Sequence, residues 1–327
     1  MTSTAPIPAL VRPLAPLLER CEERLRRAVD GHASEVVRPA ADTLAAGGKR
    51  VRPLLVFCSA PRSALEDPAV LEDLLSAASA VELVHMATLV HDDLLDGATM
   101  RRGRPTVARE LGAERAVSTG DYLFARAFAE LTRTRSAAAV QALAGAALDL
   151  SRGEMAQQRA AFDLSLTEED YLARCRRKTA ALFAVACRLG ALIGGAGPAA
   201  AERLAAFGEN VGMAFQIFDD ILDLAGAPAA TGKRRGIDLC DGTVTLPVII
   251  ALQLEPGLRQ HVAEAREGPE LERLCDRLAA HPALEIARER ALAFVAAARR
   301  SVGEGPCGGA DVAALREIAD GVVDRYS

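Results

Sequence analysis

Apolar residues recur at steps of three and four positions through almost the whole chain. The clearest runs lie at 71–81, 204–222 and 284–298, where leucine, valine, alanine and phenylalanine mark one side of a helix. Alternating apolar and polar runs of the kind that form strands are absent from the sequence, and its alanine-rich segments favour helix. The sequence therefore predicts an all-α fold.

Short breaks that contain glycine or proline interrupt this helical pattern. They fall at 47–48, 67–68, 194–198, 226–236 and 303–309, and none looks like a linker between domains. No segment repeats with a fixed period. Because an all-α chain of 327 residues can form one large bundle, we expect a single domain over residues 1–327, with residues 1–12 as a loose N-terminal segment.

The composition is that of a globular protein, with 50% hydrophobic and 25% charged residues. A net charge of −5 gives no reason to expect binding to nucleic acid. We find no apolar run of about 18 residues and no signal peptide, so we expect a cytoplasmic protein without a membrane span. The seven cysteines are scattered without a CxxC pair, which predicts reduced thiols and neither a disulfide framework nor a zinc site.

Two aspartate triplets stand inside apolar helical segments, in VHDDLLD at 90–96 and FDDILD at 218–223. Positions i and i+4 share a helix face, so Asp92 lies beside Asp96, and Asp219 beside Asp223. Such carboxylate pairs suit Mg²⁺, which takes its remaining ligands from water and substrate phosphates. An exposed helix end would explain one triplet about equally well. For two triplets flanked by large apolar residues, we favour Mg²⁺ bound around a diphosphate.

Basic residues cluster beside these motifs. GGKRVRP places Lys49 and Arg52 three positions apart at the start of a predicted helix, and Arg101 and Arg102 follow the first triplet. Cations near a helix N-terminus bind phosphate well. A single arginine is more often a solvated surface residue, but this explanation is weaker for clusters tied to the aspartates. Of the 39 basic residues, only Lys49, Lys178 and Lys233 are lysines.

Seven segments in this order resemble the all-trans polyprenyl diphosphate synthase family: GGKRVRP, ELVHMATLVHDDLLD, RRGRPT, GDYLF, RRKTA, GENVGMAFQIFDDILD and GKRRGIDLCDGTVTLP, between positions 47 and 247. The resemblance implies an all-α bundle of the isoprenoid synthase (class I terpenoid synthase) type, with a central cavity and usually homodimeric. It also implies a Mg²⁺-dependent prenyltransferase that condenses isopentenyl diphosphate head-to-tail with an allylic diphosphate.

The resemblance also assigns residues. Asp92, Asp96, Asp219 and Asp223 would bind Mg²⁺, with Asp93 and Asp220 in support. Isopentenyl diphosphate would be held by Lys49, Arg52, His85 and Arg102. The allylic diphosphate would be served by Arg101, Lys178, Thr179, Gln216 and Lys233. The four clamp aspartates with Arg101, Lys178 and Lys233 would stabilise the departing diphosphate, which we expect to take the final proton. Thr243 stands where the family often has a lysine, so one phosphate contact is expected to be weaker or supplied by an arginine.

Two small residues before the first triplet bear on product length. In a helix, the side chains four and five positions before Asp92 would line a tunnel below it, and these are Thr88 and Ala87. Short-chain relatives carry a bulky aromatic residue here, so we expect a longer product of the C30–C50 class. Phe124, Phe128 and Leu131 could instead form a deeper floor, which would give a farnesyl or geranylgeranyl product, or they could simply be core residues.

Two other functions share part of this pattern. A class I terpene cyclase has the same fold and one DDxxD motif, but GGKRVRP and the second intact triplet argue against it. A non-catalytic subunit of a heteromeric synthase would be expected to lose aspartates or basic motifs, and here the set is nearly complete.

Overall fold

The computed structural model describes residues 9–30, 37–226, 235–265 and 267–324. Almost all of the regular structure in these ranges is helical, which confirms the all-α prediction. The α-helices are α1 Ala15–Val29, α2 Val37–Ala45, α3 Val51–Ser59, α4 Arg62–Glu66, α5 Pro68–Leu95, α6 Val107–Leu111, α7 Ala113–Leu131, α8 Ala137–Arg159, α9 Glu168–Cys175, α10 Ala181–Ile193, α11 Pro198–Ala225, α12 Ile237–Cys240, α13 Leu246–Leu254, α14 Leu258–Glu264, α15 Gly268–Ala279, α16 Ala283–Ser301 and α17 Val312–Asp324. Ala9–Leu14 and Thr132–Thr134 form 3₁₀ turns, and Arg176–Ala180 forms a π-helix.

The chain divides into two compact units. Unit 1 comprises Met1–Ala147, Leu182–Ala205 and Val302–Glu317. Unit 2 comprises Leu148–Ala181, Ala206–Ser301 and Ile318–Ser327.

Helix α5 is the core helix of unit 1. It begins cleanly because Asp67 caps it, accepting hydrogen bonds from the backbone N–H groups of Ala69 and Val70, and because Pro68 suits the first helical turn. It packs against α1, α3 and α7. Leu74 and Leu83 are fully buried, and each such side chain contributes about 1.5–3 kcal/mol of hydrophobic free energy. This packing fixes the end of α5 that carries the first aspartate triplet.

The expectation that the chain has no apolar run of about 18 residues was wrong, because α5 contains one. Pro68–Leu95 contains an 18-residue window that is long and apolar enough to cross a membrane by length and composition. However, 78% of that window is buried inside the protein. This is the burial of a core helix, and the continuous apolar run arises because α5 is covered on most sides by other helices.

A short antiparallel hairpin was also not expected. Met100–Arg101 pairs with Arg104–Pro105, with Arg101 opposite Arg104. The two turn residues Arg102 and Gly103 both have positive φ, 50° and 75°, which is the conformation of a tight two-residue hairpin. Arginine at such a position gives no turn signal in a sequence, so only the structure identifies the hairpin.

In unit 2, α13 packs against α16. Helix α9 starts with a capping box in which Thr167 and Asp170 satisfy each other's backbone N–H groups. It leads directly into the π-helix at Arg176–Ala180. The seven cysteines are free thiols, and all except Cys240 are buried, as expected for reduced side chains.

Candidate active site

The first aspartate motif lies at the C-terminal end of α5. Asp96 is the C-cap residue, and its N–H donates to the carbonyl of Asp92 at 2.8 Å. Asp92 is half-buried and Asp96 is exposed, whereas Asp93 is buried. Arg101 grips Asp93 through its Nε, at 2.7 and 2.8 Å from the two carboxylate oxygens, and through Nη2 at 2.6 Å. The middle aspartate of this motif is therefore neutralised by an arginine.

A cluster of four arginines surrounds His85 on α5. Burial and the charges of Arg52, Arg102, Arg101 and Arg50 hold the pKa of His85 well below its ordinary value of 6.5. The imidazole is therefore neutral at physiological pH. It can share a hydrogen bond with an anion without adding a further charge to an already positive site.

Arg52 has the features of a residue that binds an anion. Its guanidinium lies 4.5 Å from the centroid of the Phe183 ring, and its buried Nε lacks a hydrogen-bond partner within the described residues. Burial lowers its pKa to about 10, although Glu82 opposes this shift. A buried donor without an acceptor is costly, so a bound phosphate oxygen would stabilise this arrangement.

Arg50 holds the loop that precedes α3. Its Nε donates to Glu22 and its Nη1 to Glu82, both at 2.8 Å. The backbone of Arg50 is left-handed, with φ of 50°. Gly48 lies directly under the guanidinium, since a Cβ added there would stand 2.8 Å from Arg50 Nη1 and 3.2 Å from Arg102 Nη1. This contact explains the second glycine of GGKRVRP. Lys49 between them is exposed.

A cavity of about 760 Å³ opens beside this cluster in unit 1. Its walls contain six arginines and four carboxylates, together with His85 and residues from both strands of the hairpin. The arginines are Arg38, Arg50, Arg101, Arg102, Arg104 and Arg115. The excess of positive charge favours an anionic ligand.

The residues assigned to product length lie on two helices that pack together, α5 and α7. Ala87 is buried and Thr88 is half-buried, with its hydroxyl donating to the carbonyl of His85 at 2.8 Å. Phe124 and Phe128 on α7 are half-buried, and the Phe124 ring lies 6.0 Å from that of His91. Leu131 is fully buried.

In unit 2, Lys178 and Thr179 lie on the π-helix. π-Helical turns are rare and occur often at functional sites. Lys178 Nζ is 2.5 Å from a carboxylate oxygen of Glu154 on α8. The neighbouring Gly153 lets α8 approach closely, because a Cβ there would lie 2.5 Å from the backbone N of Lys178. Lys233 lies outside the described residues.

Substitution of Gly153 with alanine is expected to push α8 away from the π-helix, because the clash is with backbone atoms. Overpacking of this kind costs about 1–3 kcal/mol, and the displaced Lys178 should lower kcat at least tenfold. Gly145→Ala on the same helix is the control, since its added Cβ would meet nothing within 4 Å and should stabilise the helix slightly. Thermal unfolding and steady-state kinetics measure both effects. Equal behaviour of the two variants would contradict the assigned contact.

The second aspartate motif, near the end of α11, is held by a chain of hydrogen bonds. Thr179 Oγ1 donates to Gln216 Oε1 at 2.6 Å, and Gln216 Nε2 donates to Asp220 Oδ1 at 2.7 Å. Asp220 Oδ2 accepts from the Tyr171 hydroxyl at 2.6 Å. Asp223 accepts from the backbone N–H groups at positions 237 and 238.

Carboxylates crowd this motif. Burial raises the pKa of Asp220 to about 7, and the charge of Asp219 adds to the effect. The pKa of Asp238 lies well above its ordinary value because of burial and the charges of Asp223, Asp220 and Asp219. A divalent cation would relieve this repulsion, so the oxygen donors fit Mg²⁺. Within the described ranges, no three carboxylate, imidazole or thiol groups form a ready-made metal site.

Sequence reasoning missed three residues of this network: Tyr171, Arg174 and Asp238. Arg174 is buried and its Nη2 donates to the carbonyl of Val244 at 2.7 Å. Thr243, one residue before, bonds through its N–H to the carbonyl of Asp238 at 2.7 Å. Asp238 lay within a matched segment, GKRRGIDL, and could have been found there. The others carried no signal, since their partners are distant in sequence.

Comparisons with known proteins identify the family of this chain. The family model described as Polyprenyl synthetase matches residues 34–275. The chain is 44% identical over 253 residues to "Heptaprenyl diphosphate synthase component 2" of Geobacillus stearothermophilus, covering 77% of each chain. It is 35% identical over 240 residues to "Short chain isoprenyl diphosphate synthase" of Methanothermobacter thermautotrophicus, covering 72% of this chain and 73% of that one.

A solved structure gives the same assignment. The crystal structure of polyprenyl synthase from Caulobacter crescentus CB15, complexed with calcium and isoprenyl diphosphate, matches with a TM-score of 0.89 and 33% identity, covering 97% of both chains. The fold is thus the all-α isoprenoid synthase fold. With the arginine cluster and both aspartate motifs in place, the chain belongs to the polyprenyl synthetase family of trans-prenyltransferases.

Proposed function

We propose that this enzyme condenses isopentenyl diphosphate head-to-tail with an allylic diphosphate, with Mg²⁺, to give an all-trans product of the C30–C50 class. The observation that carries the proposal is the arginine cluster around neutral His85, beside the first aspartate motif. Such a cluster suits a diphosphate. A cyclase has no use for a second diphosphate site in addition to its aspartate motif.

In this mechanism, Arg52, Arg102 and Lys49 bind the diphosphate of isopentenyl diphosphate, and His85 contributes a hydrogen bond. Lys178 serves the allylic diphosphate, and we assign Lys233 the same role. Asp92 and Asp96 of the first motif, and Asp219 and Asp223 of the second, would hold Mg²⁺, which would supply electrostatic stabilisation of the leaving diphosphate. The double bond of isopentenyl diphosphate then attacks the allylic carbon, and loss of a proton, expected to go to the diphosphate, completes the addition. An apolar cavity would protect the allylic cation from water.

The chain-length part of the proposal rests on Ala87 and Thr88. Both are small, and α7 packs along the helix that carries them. The test is a product assay with Mg²⁺, labelled isopentenyl diphosphate and geranyl, farnesyl or geranylgeranyl diphosphate as primer. We expect products of thirty carbons or more. A stop at fifteen or twenty carbons would move the floor to Phe124 or Phe128.

Larger side chains at position 87 should shorten the product in order of size. We expect Ala87→Val to shift the distribution slightly and Ala87→Phe to give products of about twenty carbons or fewer, because each larger side chain would take up room in the tunnel that the small alanine leaves open. Thermal unfolding of each variant monitors overpacking. Unchanged product length in a folded Ala87→Phe variant would show that the tunnel does not pass this residue.

A second candidate is an enzyme that needs a partner subunit. The 44% identical relative is named as component 2 of a heptaprenyl diphosphate synthase. The purified chain alone decides between them. Elongation by a homodimer, with its mass measured by sedimentation, supports a self-sufficient enzyme, whereas absence of elongation with every primer supports a two-component one.

A further inference from the structure

The middle aspartates of the two motifs are both buried, with exposed fractions of 5% for Asp93 and 3% for Asp220. They are held in different ways. Asp93 is gripped by the cation of Arg101, with a shortest contact of 2.6 Å. The two hydrogen bonds to Asp220 come from uncharged donors, Tyr171 and Gln216. Tyr171 and Gln216 therefore orient the Asp220 carboxyl group without contributing a positive charge.

Tyr171 is itself rigidly placed. It lies on α9 and is fully buried. Its ring lies 5.4 Å from the guanidinium carbon of Arg174, which bonds to the carbonyl of Val244 at 2.7 Å. Since a buried aromatic ring has few accessible rotamers, the hydroxyl has little freedom to leave Asp220. Its hydrogen bond of 2.6 Å fixes one oxygen, and Gln216 fixes the other.

We propose that Tyr171 is a positioning residue that orients the Asp220 carboxylate toward the cation and diphosphate bound at the second aspartate motif. It acts through Asp220 and does not touch the substrate. The inference rests on the proposed function, because it assumes a metal–diphosphate ligand at this motif. It goes beyond the motif itself, which contains no tyrosine.

The test is Tyr171→Phe, which removes only the hydroxyl. Binding is measured by calorimetric titration of the full-length protein with MgCl₂ and inorganic pyrophosphate, which needs no turnover. Loss of a group that orients a metal ligand typically weakens metal affinity 10–100-fold, so we expect the apparent Kd for Mg²⁺ to rise at least tenfold. We expect kcat to fall, while KM for isopentenyl diphosphate stays within twofold because the arginine cluster is untouched. Unchanged Mg²⁺ affinity in a folded variant would overturn the proposal.

Two further variants separate positioning from general destabilisation. Tyr122→Phe is the matched control, because that hydroxyl also donates to one acceptor, the carbonyl of Ala28 at 3.4 Å, within unit 1. It should leave Mg²⁺ affinity and kcat unchanged. Adding Tyr171→Phe to Asp220→Asn should cause no further loss of Mg²⁺ affinity. A further loss in a folded double variant would mean that Tyr171 does not act through Asp220.

Failure of the proposed function gives a different result. A wild-type protein that binds Mg²⁺ and pyrophosphate, loses that binding in Tyr171→Phe, but incorporates no isopentenyl units would support the positioning role and refute the reaction. A wild-type protein that incorporates isopentenyl units, together with a Tyr171→Phe variant of equal Mg²⁺ affinity, would support the reaction and refute the positioning role.

Discussion

Asp92→Asn and Asp219→Asn are each expected to lower kcat by about 10²–10³-fold, the loss typical when one electrostatic contact to a developing charge is removed. Asparagine keeps the size and one oxygen of the side chain but not its charge. Both positions are half-buried at the end of a helix, so the fold should persist. For Asp219 the free energy of unfolding at neutral pH should even rise slightly, because its charge raises the pKa of Asp220 and Asp238.

Single-turnover kinetics at saturating Mg²⁺ measure this effect, with circular dichroism as a check on folding. Asp73→Asn serves as the control, since Asp73 lies on α5 but far from the triplet at its other end, and it should retain wild-type kcat. If Asp92→Asn and Asp219→Asn both kept more than a tenth of the wild-type rate, the carboxylate clamps would not be the centre of the reaction.

Arg50→Met is expected to give the largest loss of stability, about 3–5 kcal/mol, the cost typical of breaking a buried ion pair from one side. Arg50 is the shared partner of Glu22 and Glu82, and its side chain is 10% exposed against 25% and 5% for theirs. Without it, two carboxylates are left with little access to water. The loop that contains Gly48 also loses the guanidinium packed on it, so KM for isopentenyl diphosphate should rise.

Urea denaturation measures this loss. Arg26→Met is the control, because Arg26 is 68% exposed and reaches the same Glu22 only at 4.0 Å, so its removal should cost no more than about 1 kcal/mol. Adding Glu82→Met to Arg50→Met should restore part of the stability by removing the unpaired charge. Equal losses of unfolding free energy in Arg50→Met and Arg26→Met would refute the role of Arg50 as the buried ion-pair partner of both Glu22 and Glu82.

The sequence was sufficient for the features that depend on local spacing. Helical periodicity predicted α5 and α11, and the i, i+4 spacing placed Asp92 beside Asp96 and Asp219 beside Asp223. The position of Arg52 in the first turn of α3 followed from the glycines before it. These predictions succeed because backbone hydrogen bonds in a helix join residues four apart, so the pattern lies within a short window.

Only the tertiary structure decided which side chains meet across those helices. Asp93 pairs with Arg101, whereas Asp220 bonds to Tyr171, although the two motifs have similar sequences. The tertiary structure also placed Gly153 against the backbone of Lys178 and turned RRGRPT into a hairpin. Contacts between residues that are tens of positions apart depend on how the helices pack and on which polar groups are buried together. The local pattern of a single sequence does not contain that information.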